Sequence, residues 1–340
     1  MRQTKRTLAT GILVATLFVH PALGQTPTSI VIDVQDVVEY QDYQIDLGDP
    51  SKFALSPGIT RSSPARNFYP ATIIGDIVAV NGQPAKGLYA GRSRAIGTSR
   101  NPTPGGAIAD LSRLAMREVI IEILKPDGTP VGTIMSSGLS GSEPPPGQGL
   151  PVEQRGNWAI TGGTGAYLGA RGQLSQRPDG QGPIRARPAS VAEDPANRRI
   201  NGGGTWRIYV RIIPMSVPQI KTTGAGPVVV HSSDFSLVTA SKPAAPGEIL
   251  SLFATGLGPT LPDLELGQTF PSSPLSAVNS PLGITANGKP AEILGAVGYP
   301  GTEDVYQVNF RMPSDTGKGS VSLQLSAAWI AGTPVSIIVQ

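Results

Sequence analysis

The chain contains no cysteine. Disulfides, thiol nucleophiles, thiolate zinc sites and iron–sulfur clusters are therefore excluded, and any core must hold by packing alone. Histidine is almost as scarce, with His20 and His231 the only two. A Ser-His-Asp triad would have to use His231, and a multi-histidine metal centre has too few ligands once an N-terminal leader is set aside. Aromatic residues make up 5% and charged residues 15% of the chain. No convincing amphipathic helical pattern occurs, and beyond the first 24 residues no apolar run is long enough to span a bilayer as a helix.

Glycine and proline are abundant instead, at 42 and 33 residues. They follow no fixed period, which excludes collagen and favours many short strands joined by turns. The 340 residues give room for two domains of ordinary size. Arg2, Lys5 and Arg6 precede an apolar run from Leu8 to Val19, and Ala22-Leu23-Gly24 supplies small residues for cleavage. This is the pattern of a secretory signal peptide over 1–24, so the expectation is export after cleavage near Gly24. The leader carries three of the 27 basic residues and no acid, so 24 basic and 24 acidic residues remain. A neutral chain is a poor partner for nucleic acid, whose phosphates demand a basic surface.

Period-two alternation recurs along the first two-thirds of the chain. In 30–46, Ile30, Ile32, Val34, Val38 and Tyr40 fall on one face, and Asp36 falls on that face with them. Further strands are expected over 71–80, 86–99, 112–124, 131–139, 155–161, 167–177 and 203–213. Asn81-Gly82 makes a hairpin turn between two of them. In 112–124, Val119, Ile121 and Ile123 alternate with Glu118 and Glu122; in 203–213, Trp206, Ile208, Val210 and Ile212 face one way and Thr205, Arg207, Tyr209 and Arg211 the other. Eight antiparallel strands is the number that closes a small barrel. Residues 215–226 read as a linker rich in proline and glycine. The remaining 227–340 holds short strands with turns every 8–15 residues, which suits an immunoglobulin-like sandwich. The expected organisation is all-β: leader 1–24, an eight-stranded antiparallel barrel within 25–214, a linker, and an immunoglobulin-like β-sandwich over 227–340.

The stretch "TGGTGAYLGARG" (161–172) has the look of a phosphate loop. A dinucleotide site needs such a loop to open a helix and an acid about 20 residues on. Here the interval from Gly165 to Gly169 is one residue too long, Gly172 and Pro178 forbid a useful helix, and Arg185 and Arg187 stand where the acid should be. No Lys-Ser or Lys-Thr follows, so it is not a P-loop either. No cofactor and no metal site is expected. The better reading is a hairpin turned by Gly162 and Gly163.

"GNWAITGGTGAYLGARGQ" resembles the most recognisable segment of the dirigent proteins, which share a barrel with the allene oxide cyclases. The likeness extends over about 30–213, with Gly91-Arg92-Ser93 upstream and "TWRIYVRI" at the end. It implies a barrel, often oligomeric, whose lumen binds a hydrophobic or phenolic small molecule and works by orienting a reactive substrate. Arg171 matches the family's Ala-Arg-Gly, whereas Ala166 stands where lignan-forming members carry an acid. "HSSDFSLVTASKPAAPGEILSLFATGLGPT" (231–260), "GKPAEIL" and "VYQVNFRMP" are similar to a C-terminal domain of secreted acidobacterial-type proteins, itself like the IPT/TIG immunoglobulin modules. That domain has no assigned activity.

The candidate ligand-binding residues are Asp36, Arg92, Arg171, Arg207, Tyr209 and Arg211. Asp36 would be a lumenal acid, the arginines would line or rim the barrel for an anionic ligand, and Tyr209 would offer a phenol. His231, with Ser233 and Asp234 close in sequence, reads as a structural turn rather than a catalytic dyad. Three functions fit: a secreted small-molecule binder with an interaction or spacer domain; an isomerase or cyclase acting on such a molecule; and a surface or matrix interaction protein without a small ligand.

Overall fold

In the computed structural model of the chain, residues 27–41, 70–96, 114–140, 155–180, 182, 184–186, 203–262, 264 and 267–340 are described. The leader expected over 1–24 lies outside them. The described residues form no helix, and none is long and apolar enough to cross a membrane.

Eight long strands build the barrel of the first sheet: β1 (Thr28–Gln41), β2 (Pro70–Val80), β3 (Lys86–Ile96), β4 (Leu114–Leu124), β5 (Pro130–Ser140), β6 (Arg155–Gly165), β7 (Arg171–Pro178) and β8 (Gly204–Ile213); two short strands, Gln83–Pro84 and Ile184–Ala186, add to β2 and, in parallel, to β1. Each pairs antiparallel with the next, and β1 pairs with both β8 and β2, so the sheet closes into a barrel without exposed edges. The alternating sequence dictates this. On β8, Trp206, Ile208, Val210 and Ile212 are buried inside, and Arg207, Tyr209 and Arg211 lie outside and half-buried. Most of the lumen is filled: Ile30, Ile32, Ile73, Ile121, Ile123, Ile134, Leu174 and Ile208 are all completely buried. An eight-stranded barrel has an interior just wide enough for side chains to occupy.

The alternation breaks once on β1. The register against β8 shifts between Val34 and Val37, and Asp36 takes a φ of 51° there. This bulge inverts the strand: inward positions run Ile30, Ile32, Val34 and then Val37. Asp36 is exposed, not on the apolar face as the unbroken period predicts.

The glycine segment is a hairpin of β6 and β7, but its turn is not at Gly162 and Gly163. The chain reverses over 166–170, and the left-handed φ values belong to Gly165 (60°) and Gly169 (68°). Gly163 lies within β6, where a Cβ would stand 2.3 Å from the Tyr167 carbonyl oxygen.

The barrel has two unlike ends. At one, short connections follow β2, β4 and β6; at the other, the connections 42–69, 97–113, 141–154 and 179–203 join the remaining strand ends. All four long connections therefore emerge from the same rim.

The second sheet curls around its own core. Its main strands are β9 (Val229–His231), β10 (Ile249–Thr255), β11 (Leu282–Ala286), β12 (Lys289–Gly298), β13 (Tyr306–Arg311), β14 (Gly319–Ala327) and β15 (Val335–Val339). β12 pairs with β11 through its first residues and with β13 through the rest, which lets the sheet bend back over Leu250, Leu252, Val308, Phe310, Val321 and Leu323. The residues read as a linker are partly recruited to this sheet: Gln219–Ile220 pairs with β10, and Ile220 is buried.

The tip of the hairpin after β14 presses on the short-connection end of the barrel. Ala328 and Ile330 join the barrel's core cluster, and Trp329 Nε1 donates to Gln83 Oε1 at 3.0 Å. Asn279 Nδ2 donates to the Pro130 carbonyl at 2.8 Å.

Candidate functional site

The six residues singled out from sequence do not meet in the lumen. Arg92 and Arg171 are exposed on the outer face, and Asp36 is exposed on the bulge. Arg207, Tyr209 and Arg211 share the outer face of β8. There Arg207 is an electrostatic tie: its Nε lies 2.7 Å from Asp33 Oδ1 on β1, and its Nη2 lies 3.0 Å from Asp179 beyond β7. The hydrogen bond that Arg207 donates to Asp33 raises its pKa further. Tyr209 receives the guanidinium of Arg177 over its ring at 5.5 Å. These contacts join β1, β7 and β8 from outside.

His231 is buried, and both ring nitrogens are engaged. Nδ1 lies 2.5 Å from Glu248 Oε1, and Nε2 lies 3.3 Å from the Lys242 carbonyl. Asp234 bonds Ser236 and Lys242. The cluster closes a loop of the second unit, as a structural turn would.

A different set of polar side chains gathers inside the barrel, toward the rim with the long connections. Arg117 is the centre. The inward period of β4 runs back from Ile123, Ile121 and Val119 to Arg117, which is only 9% exposed. Its guanidinium lies over two tryptophans, 5.5 Å from the Trp158 ring and 5.7 Å from that of Trp206. Cation–π attraction holds it there. Trp206 meets Tyr89 edge to face, with ring centroids 5.4 Å apart. The Tyr89 hydroxyl donates to Gln176 Oε1 at 2.8 Å. Burial raises the Tyr89 pKa, and the adjacent Arg117 charge and hydrogen bond oppose that rise. Tyr89 is therefore a neutral phenol at ordinary pH.

Ser136 on β5 completes the group. Cross-strand register sets it opposite Val119 and Ile160, one inward step from Arg117 and from Trp158. Diagonal neighbours of this kind lie about 7–8 Å apart, within reach of long side chains. Beyond the bulge, Glu39 sits opposite the buried Ile73 and so faces the lumen at the rim; its charge also raises the Tyr89 pKa.

Arg117 Nε, Ser136 Oγ and Trp158 Nε1 are all buried without a hydrogen-bond partner. Among the described residues Arg117 makes no ion pair. Buried polar groups are nearly always satisfied, and an uncompensated buried cation costs several kcal/mol. Three orphaned donors at one end of a barrel that is largely apolar elsewhere form a recognisable polar site.

Sequence reasoning passed over Arg117, Trp158 and Ser136. The signal for Arg117 was present, because extending the Val119–Ile121–Ile123 face two residues back reaches it. Comparison with family models, with curated proteins and with solved structures yields no match to this chain.

Proposed function

We propose that the protein is a small-molecule binder whose site is the polar end of the barrel, beneath the rim that carries the long connections. The observation that carries this reading is the orphaned donor set of Arg117, Ser136 and Trp158 beside Tyr89, Gln176 and Trp206. A site with apolar and aromatic walls and a few convergent polar groups is what a small ligand requires. The packed lower lumen limits the ligand to the upper part, so a compact ring system fits better than a long chain. The dirigent-like likeness over 30–213 supports the same reading. The opposite end is sealed by the second unit, which leaves approach from the rim.

Export of the chain, an immunoglobulin-like role for 227–340 as spacer or interaction module, and self-association through the barrel belong to the same proposal. Self-association draws on the outer face of β3–β5. There Met116, Ile120, Met135 and Leu139 are exposed, with Ile120 paired to Met135 and Met116 to Leu139.

The test is mass spectrometry of small molecules released from the purified full chain, followed by thermal shift across phenolics and lipids. A ring-bearing compound that co-purifies and raises the melting temperature supports the proposal. No co-purifying compound and no shift across the panel would count against it and favour an interaction protein without a small ligand.

A further inference from the structure

We infer that the site takes a planar monoanion, a ring bearing one carboxylate, with Arg117 as the residue that holds the charge. The inference rests on the proposed lumenal site and names its ligand class. The first argument is charge. Arg117 is nine-tenths buried and, among the described residues, has no carboxylate beside it; the tryptophan rings attract the cation but leave it unneutralised. A bound anion would compensate a charge that otherwise weakens the fold. The second argument is polarity. The orphaned atoms of Arg117, Ser136 and Trp158 can all donate, and the Tyr89 hydroxyl already donates to Gln176. An acceptor-only group is the complement of such a set, and a carboxylate is acceptor-only. The third argument is charge number. Among the described residues one cation faces the site, and Glu39 stands at its rim. A monoanion matches the single charge of Arg117, whereas a dianion such as phosphate brings a second negative charge that no described cation at the site balances and that Glu39 opposes. The aromatic walls of Trp206 and Tyr89 favour a ring as the remainder of the ligand.

The experiment is calorimetric titration of the full chain with benzoate, its neutral isostere benzamide, and inorganic phosphate. Benzoate is expected to bind at least about tenfold more tightly than benzamide, since charge-assisted hydrogen bonds carry the difference. Phosphate is expected to show no binding. Arg117→Met should abolish the preference for benzoate over benzamide, while Arg117→Lys should restore part of it. Melting curves establish that each variant is folded, and Ser136→Ala, a smaller change, should weaken benzoate several-fold. Equal binding of benzoate and benzamide overturns the monoanion inference and leaves the lumenal reading intact. So does a preference for benzoate that survives Arg117→Met, provided Ser136→Phe, which fills the site, still blocks binding. Benzoate binding that survives Ser136→Phe overturns both, as does failure of all three probes to bind.

Discussion

Replacing Arg117 by methionine should make the protein more stable. Arg117 is a cation with 9% exposure and, among the described residues, no ion pair. Exchanging buried charged groups for apolar ones of similar volume typically gains about 1–4 kcal/mol. Against that stand the two ring contacts at 5.5 and 5.7 Å. Each is worth about 0.5–2 kcal/mol, and methionine sulfur returns about 0.3–1.5 kcal/mol on the same rings. The Tyr89 hydroxyl loses its hydrogen bond from Arg117 but keeps Gln176 as its partner, so no new orphan is created there. At the midpoints of these ranges the balance favours the variant by about 1 kcal/mol, or a rise of about 2–4 °C in melting temperature. Scanning calorimetry without added ligand measures it directly.

The result separates two roles. A residue kept for ligand binding is carried at a cost to stability, so removing it stabilises the empty protein. A residue kept to brace Trp158 and Trp206 would instead be missed, and the melting temperature would fall. A fall of more than about 3 °C would refute the reasoning, because at roughly 2–4 °C per kcal/mol it means that Arg117 contributes about 1 kcal/mol or more to the fold.

Four further outcomes follow from particular contacts. Gly87→Ala should cost well over 3 kcal/mol in a denaturant titration, since φ is +151° and a Cβ would stand 1.9 Å from the Glu122 carbonyl oxygen. Ile330→Ala should cost about 2–4 kcal/mol and lower the barrel's own transition, read by near-ultraviolet circular dichroism, because this residue of the second unit lies in the barrel core. Asp234 has a pKa held below the ordinary aspartate value by Lys242 and Ser236; its contribution is therefore full above pH ~4 and lost as pH falls toward the lowered value, and Asp234→Asn should flatten the stability profile over that acidic range. Ile120→Lys, at an exposed apolar position on the barrel's outer face, should shift light scattering toward smaller species if the barrel self-associates, and leave the melting temperature of the monomer unchanged.

The clearest barrel strands are legible because they alternate apolar and polar residues over several positions, and an alternation has only one way to lie on a half-buried sheet. β8 is the clearest case, with Trp206, Ile208, Val210 and Ile212 falling inside as its period requires. What periodicity cannot register is an extra residue. The bulge at Asp36 reverses the face of everything after it, which moves Asp36 out and Glu39 in. Its sequence trace is indirect: Gly203 packs so close that a Cβ would stand 2.3 Å from the Asp36 carbonyl carbon. In the glycine hairpin, composition located the turn but not which glycines make it; Gly163 is there for close approach of backbone, and Gly165 and Gly169 for positive φ. The site was missed for a related reason. Motif resemblance favours Arg171 and Arg207, whereas the arginine that enters the lumen, Arg117, is set by register.

The asymmetry of the barrel ties these observations together. Short connections bring strand ends close and leave little backbone for anything but closure, and at that end Ala328, Ile330 and Trp329 of the second unit seal what remains. Long connections leave from the other end, where the lumen changes from isoleucine to arginine, tryptophan, serine and glutamine. Rigid scaffolds place binding groups beside their longest connections because those segments vary without disturbing the core. A barrel plugged below and polar above directs its lumenal polar groups toward one end only. Arg117 lies inside that end, 9% exposed and, among the described residues, without an ion pair, where its low-dielectric surroundings strengthen its attraction for any anion it meets.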